Sequence, residues 1–127
     1  WCGDAMRNNA IVRKIAEAGN LDIRTVYRDE NLELMDQYLT NGGRSIPVYL
    51  LLSQDGEVIS KWGPRAEMVQ KFVMEGRAKF PDKEDPAFED IQKKFYEQMT
   101  QEFIANKEFH LAVYEEIRSS WLPILQK

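Results

Sequence analysis

The residue best suited to covalent chemistry stands at the start of the chain. Cys2 is the only cysteine among 127 residues, preceded by Trp1 and followed by Gly3, Asp4 and Ala5. Asp4 to Ala18 reads as a helix, with Ile11, Val12, Ile15 and Ala16 along one face and Gly19 as its stop. Cys2 is therefore expected at a helix N-terminus, where unpaired backbone N–H groups and the helix dipole favour negative charge. A thiolate held there can attack a disulfide, because the thiolate and not the thiol is the nucleophile. Asp4 opposes that effect as a nearby carboxylate, although it is also able to cap the helix. A lone cysteine is more often a small buried hydrophobe, and the Trp-Cys-Gly setting at a helix start is what sets Cys2 apart.

Little else in the chain offers chemistry. One cysteine leaves no internal disulfide and no thiolate zinc site. His110, the only histidine, falls in the C-terminal region, where neither a metal nor a catalytic role is expected. No Ser-His-Asp set, phosphate loop or metal-ligand cluster is legible, so the reading calls for no cofactor and no metal. Arg44 and Arg65 are able to bind the carboxylates of a small thiol, with solvated surface charge as the plainer account. Trp1 and Trp62 read as partly exposed aromatics beside the cysteine, or else as core.

With 43% hydrophobic and 30% charged residues, the chain has the composition of a globular protein, and its length suits one compact domain with an appendage. A formal net charge of -4 argues against nucleic acid as a partner. No apolar run approaches the about 20 residues that cross a bilayer. The longest, Ile46 to Leu52, reads as a strand covered on both faces.

The other elements follow from periodicity and turn signals. Leu21 to Tyr27 reads as a strand burying Leu21, Ile23 and Val26. Asp29, Glu30 and Asn31 offer caps for a helix carrying Leu32, Met35, Tyr38 and Leu39, which Asn41-Gly42-Gly43 breaks. Asp55-Gly56 predicts a hairpin turn leading into a paired strand, Val58 to Trp62, closed by Gly63-Pro64. Ala66 to Phe80 is a helix with Val69, Phe72, Val73 and Phe80 inward, and Gly76 permits a close approach. Pro81 to Pro86 reads as a linker. Two amphipathic helices follow, one striped by Phe88, Ile91, Phe95, Met99 and Phe103. The other is striped by Leu111, Tyr114, Ile117 and Trp121, and ends before or at Pro123.

Three patterns, in this order, resemble the thioredoxin superfamily. Trp1-Cys2-Gly3-Asp4-Ala5 looks like its Trp-Cys-Gly-Pro-Cys loop, Ser45-Ile46-Pro47 before an apolar strand is similar to its cis-proline loop, and Trp62-Gly63 after the hairpin matches its conserved-surface glycine position. The resemblance covers roughly residues 1–80 and is closest to bacterial thioredoxin-family proteins with a Trp-Cys-Gly-Asp loop and a helical tail. It implies an α/β fold, a thioredoxin-like sheet flanked by helices, as domain 1–80, with a C-terminal helical extension over 81–127. The strand that precedes the Trp-Cys loop in that family is missing from this chain, which opens without an initiator methionine, and it is expected upstream.

The resemblance also implies a function. Cys2 would be the nucleophile, and Trp1, Gly3, Asp4, Ile46, Pro47 and Gly63 would contact substrate, with the bond before Pro47 cis. Ala5 replaces the resolving cysteine and Asp4 the loop proline, so a mixed disulfide on Cys2 would need an external thiol for release. The expected partners are protein disulfides, or mixed disulfides with a low-molecular-weight thiol, in the cytoplasm. The tail's aromatic stripe allows a homodimer through the C-terminal helices. The rival is a redox-inactive thioredoxin-fold module that binds a protein through the same surface.

Overall fold

A computed structural model describes residues 2–126, so the expectations for Trp1 lie outside the described residues. The chain is a mixed helix and strand fold with five α-helices and one small sheet among those residues. Helix α1 (Gly3–Ala18) begins at Cys2, whose backbone is still extended and whose carbonyl accepts from Met6 N–H at 3.0 Å. It buries Val12 and Ala16, with Ile11 and Ile15 half-covered beside them.

The sheet forms where the turn signal was strongest. Strands β1 (Tyr49–Leu52) and β2 (Val58–Trp62) pair antiparallel around Gly56, with a bulge between Leu51 and Leu52. Leu51 and Trp62 are buried, whereas Leu52, Val58 and Ile59 are exposed. The expectation of cover on both faces therefore fails, because helices pack against one side of the hairpin only.

Three further differences have physical causes. Residues 22–27 run extended and exposed, and residues 22–26 make no backbone hydrogen bond among the described residues. The predicted strand at Leu21 to Tyr27 is thus unrealised, since a strand needs a neighbour and β1 pairs only with β2. Ile23 and Val26, expected inside, are 46% and 60% exposed. The helix expected through Leu39 is a 3₁₀ turn at Arg28–Glu30 followed by the short α2 (Leu32–Met35). It tightens there, with Gln37 and Tyr38 N–H groups bonding carbonyls three residues back.

Helix α3 (Glu67–Arg77) buries Val69 and Val73 completely, and a side chain on Gly76 would overlap the Phe95 ring of α4 (Phe88–Ala105). A single residue, Asn106, separates α4 from α5 (Lys107–Leu125) and caps the latter by accepting from Glu108 and Phe109 N–H. The buried stripe of α5 is Phe109, Val113, Ile117 and Trp121; Leu111 and Tyr114, expected inside, are 59% and 41% exposed. Both stripes share Ile117 and Trp121, and only the partners across the core choose between them. Pro123 lies within the last turn of α5 instead of ending it. One hydrophobic core joins α1, β1, β2 and α3 to Phe103 and the buried face of α5.

Candidate active site

The start of α1 meets two loops. The Cys2 S–H donates to the Ile46 carbonyl oxygen at 3.8 Å, and the peptide bond from Ile46 to Pro47 is cis. Cys2, Gly3 and Ile46 are half-buried, while Pro47 is buried. Gly63 closes the other side with a φ of 119°, its backbone against the Pro47 carbonyl, and a second cis bond joins it to Pro64. Cys2, Gly3, Ile46, Pro47 and Gly63 are therefore brought together. A sulfur at a helix N-cap beside a free-standing loop carbonyl is an arrangement able to present a thiol to an extended partner.

Asp4 has a different setting from the surface position its sequence context suggested. It is 5% exposed, and both carboxylate oxygens accept from Arg65 Nε, at 3.1 and 3.0 Å, with Arg65 Nη2 also 3.0 Å away. Arg65 Nη1 donates to Gln70 at 3.0 Å. Arg65 is thus the fixed partner of the loop carboxylate, not a solvated charge. Arg44 is exposed and held by Asp36 at 2.7 and 3.0 Å, and that bond keeps the Asp36 carboxyl below the usual carboxylate range.

Residues the sequence did not single out complete the site. Asn8 is fully buried and its amide donates to the Pro64 carbonyl at 2.9 Å, tying α1 to the loop after Gly63. Arg7, also buried, donates from Nε to Asn8 and lies over the Phe103 ring at 4.5 Å. Burial pushes its guanidinium below its ordinary value; Asp4 raises it and Arg65 lowers it further. Tyr49 stacks against Trp62 with ring centroids 5.9 Å apart, and burial is the main cause that lifts its phenol above the ordinary value, helped by the proximity of Cys2. Polar residues inside a helix carry no periodic signal, so nothing in the sequence marked Arg7 or Asn8 as interior.

Trp62 is buried, at 7% exposure, so the expectation of a partly exposed aromatic is corrected; Tyr49 and the C-terminal helix cover it. No described helix is long and apolar enough to cross a membrane. Among the described residues no cluster of three or more His, Cys, Asp or Glu could hold a metal. Neither the comparison with curated proteins nor that with solved structures gives a match. The family model described as thioredoxin matches residues 1–83, about two thirds of the chain. With a cysteine at the head of a helix facing a cis-proline loop within that stretch, the chain belongs to the thioredoxin family.

Proposed function

We propose that this protein is a thiol-disulfide oxidoreductase of the monothiol kind, with Cys2 as its nucleophile and the backbone at Ile46 as its substrate-holding edge. The observation that carries the reading is the half-exposed Cys2 sulfur at the N-cap of α1, 3.8 Å from the Ile46 carbonyl. The Cys2 thiolate attacks one sulfur of a substrate disulfide. A new sulfur–sulfur bond forms to Cys2, the substrate bond breaks, and its other sulfur leaves as a thiolate. Ala5 has no thiol to release the adduct, so an external low-molecular-weight thiolate attacks it, regenerates Cys2 and departs as the new disulfide. That need for a thiol supply suits a reducing compartment such as the cytoplasm.

This chemistry favours substrates in which a protein cysteine carries a small thiol. Their exchange is close to balanced, whereas stable protein disulfides demand an intramolecular second thiol. The redox-inactive binding module remains the second reading, favoured by the burial of Asp4 in its pairing with Arg65 where a reactive loop would stay open. A glutathione–peptide mixed disulfide separates the two. Its reduction by excess glutathione should be accelerated by the protein and not by Cys2→Ser. Equal rates would remove the oxidoreductase reading in favour of the module.

A further inference from the structure

An open cleft of about 270 Å³ runs between α1 and the C-terminal helices, starting at Gly3 and walled by Met6, Arg7, Phe103, Ile104 and His110. Its wall is largely apolar, and none of its lining residues is acidic. Met6 and Ile104 hold apolar surface in water, at 48% and 62% exposure. The polar groups at its edge are spent locally: the Thr100 hydroxyl donates to Tyr96, and His110 Nε2 meets the Phe103 carbonyl at 2.9 Å.

Arg7 is the exception. It is 7% exposed, yet Nη1 and Nη2 have no hydrogen-bond acceptor. The nearest carboxylate oxygen, on Asp4, is 3.7 Å from Nη2 and is already held by Arg65. Asp4, Arg7 and Arg65 together carry one more positive charge than negative. A buried guanidinium with idle donors is costly unless an acceptor is supplied, and a carboxylate matches its fork geometry.

We propose that this cleft binds a small apolar monocarboxylate, whose carboxylate meets Arg7 and whose body covers Met6, Phe103 and Ile104. The volume falls just below the roughly 300 Å³ at which drug-sized pockets begin, which limits the body to a single ring or a short alkyl chain. Covering exposed methionine and isoleucine surface supplies the apolar part of the affinity. The site uses no atom of Cys2 and stands apart from the thiol chemistry proposed above.

Calorimetric titration of the Cys2→Ser protein with phenylbutyrate tests it, independently of any redox activity. Saturable binding is expected, weaker by at least about tenfold for phenylbutanol, which lacks the charge. Ile104→Glu, a change at an exposed position, should weaken the acid by a similar factor through apolar loss and repulsion. Arg7→Met, with its fold checked by circular dichroism, should erase the preference for acid over alcohol. No saturation in the millimolar range, equal affinity for acid and alcohol, or indifference to Ile104→Glu would each overturn the proposal.

Discussion

Gly63 lies so close to Pro47 that a Cβ on it would stand 2.5 Å from the Pro47 carbonyl oxygen, and its φ of 119° belongs to glycine alone. Two loops separated in sequence are thus interlocked beside Cys2, and the contact is backbone on backbone, with no flexible side chain to yield. Gly63→Ala should cost roughly 2–4 kcal/mol of stability, from strain and clash together. Urea denaturation measures it. A midpoint unchanged from the parent would show that the loops have room the geometry denies.

Removing the Asp4 charge should be among the most damaging polar changes in the chain. Asp4→Asn leaves Arg7 and Arg65 facing one another inside the protein, with Arg65 losing its paired oxygens. One-sided removal of a buried partner costs about 3–5 kcal/mol in such settings. Arg65→Met in the same background should recover part of that loss, because the second charge goes with it. A loss under about 1 kcal/mol, with no coupling in the double variant, would mean that water already screens the pair.

How much of this could be read in advance differs by element. The hairpin was legible because Asp55-Gly56 names its turn and Val58 to Trp62 alternates, and the strand bounds match. Helix α1 and the cysteine at its head were legible from apolar spacing and from Gly19. The closeness of α3 to α4 at Gly76 was also signalled, because a glycine inside a helix invites contact. What escaped was tertiary choice. In α5, Leu111 and Phe109 start equally good stripes, and only the α1 and α3 surfaces decide between them. Leu21 to Tyr27 had strand composition but no ladder to join. Asp4 and Arg65 are 61 positions apart, and opposite charges at that separation carry no pairing signal.

Tyr49 gives the chain an alkaline sensitivity. Burial, the proximity of Cys2 and that of Asp4 raise its phenol above the ordinary value, while Arg7 opposes them. The folded state therefore holds the proton more tightly than the unfolded chain. The associated stability is fully present below the ordinary tyrosine value of about 10 and is lost as pH climbs above it. Thermal melts between about pH 8 and 11 should show the parent losing stability faster than Tyr49→Phe, whose baseline is lower for want of the bond to Asn9. Parallel curves for the two proteins would contradict the burial of this hydroxyl.

A single carboxylate ties the C-terminal helices to the sheet. Glu116 on α5 accepts from the Trp62 indole N–H at 3.0 Å with one oxygen and from the Glu67 backbone N–H at 2.7 Å with the other. The first bond holds the last residue of β2; the second satisfies a first-turn donor of α3 and sets negative charge at that helix's positive end. Glu116→Gln keeps the shape but has only one accepting oxygen, so one donor must go unpaired. The expected loss is about 1–3 kcal/mol. Trp62 fluorescence, read in a Trp1→Phe, Trp121→Phe background, should shift to the red as water reaches the indole. If stability and emission both stay put, apolar packing of Val113, Ile117 and Trp121 alone holds α5 in place, and the carboxylate is incidental.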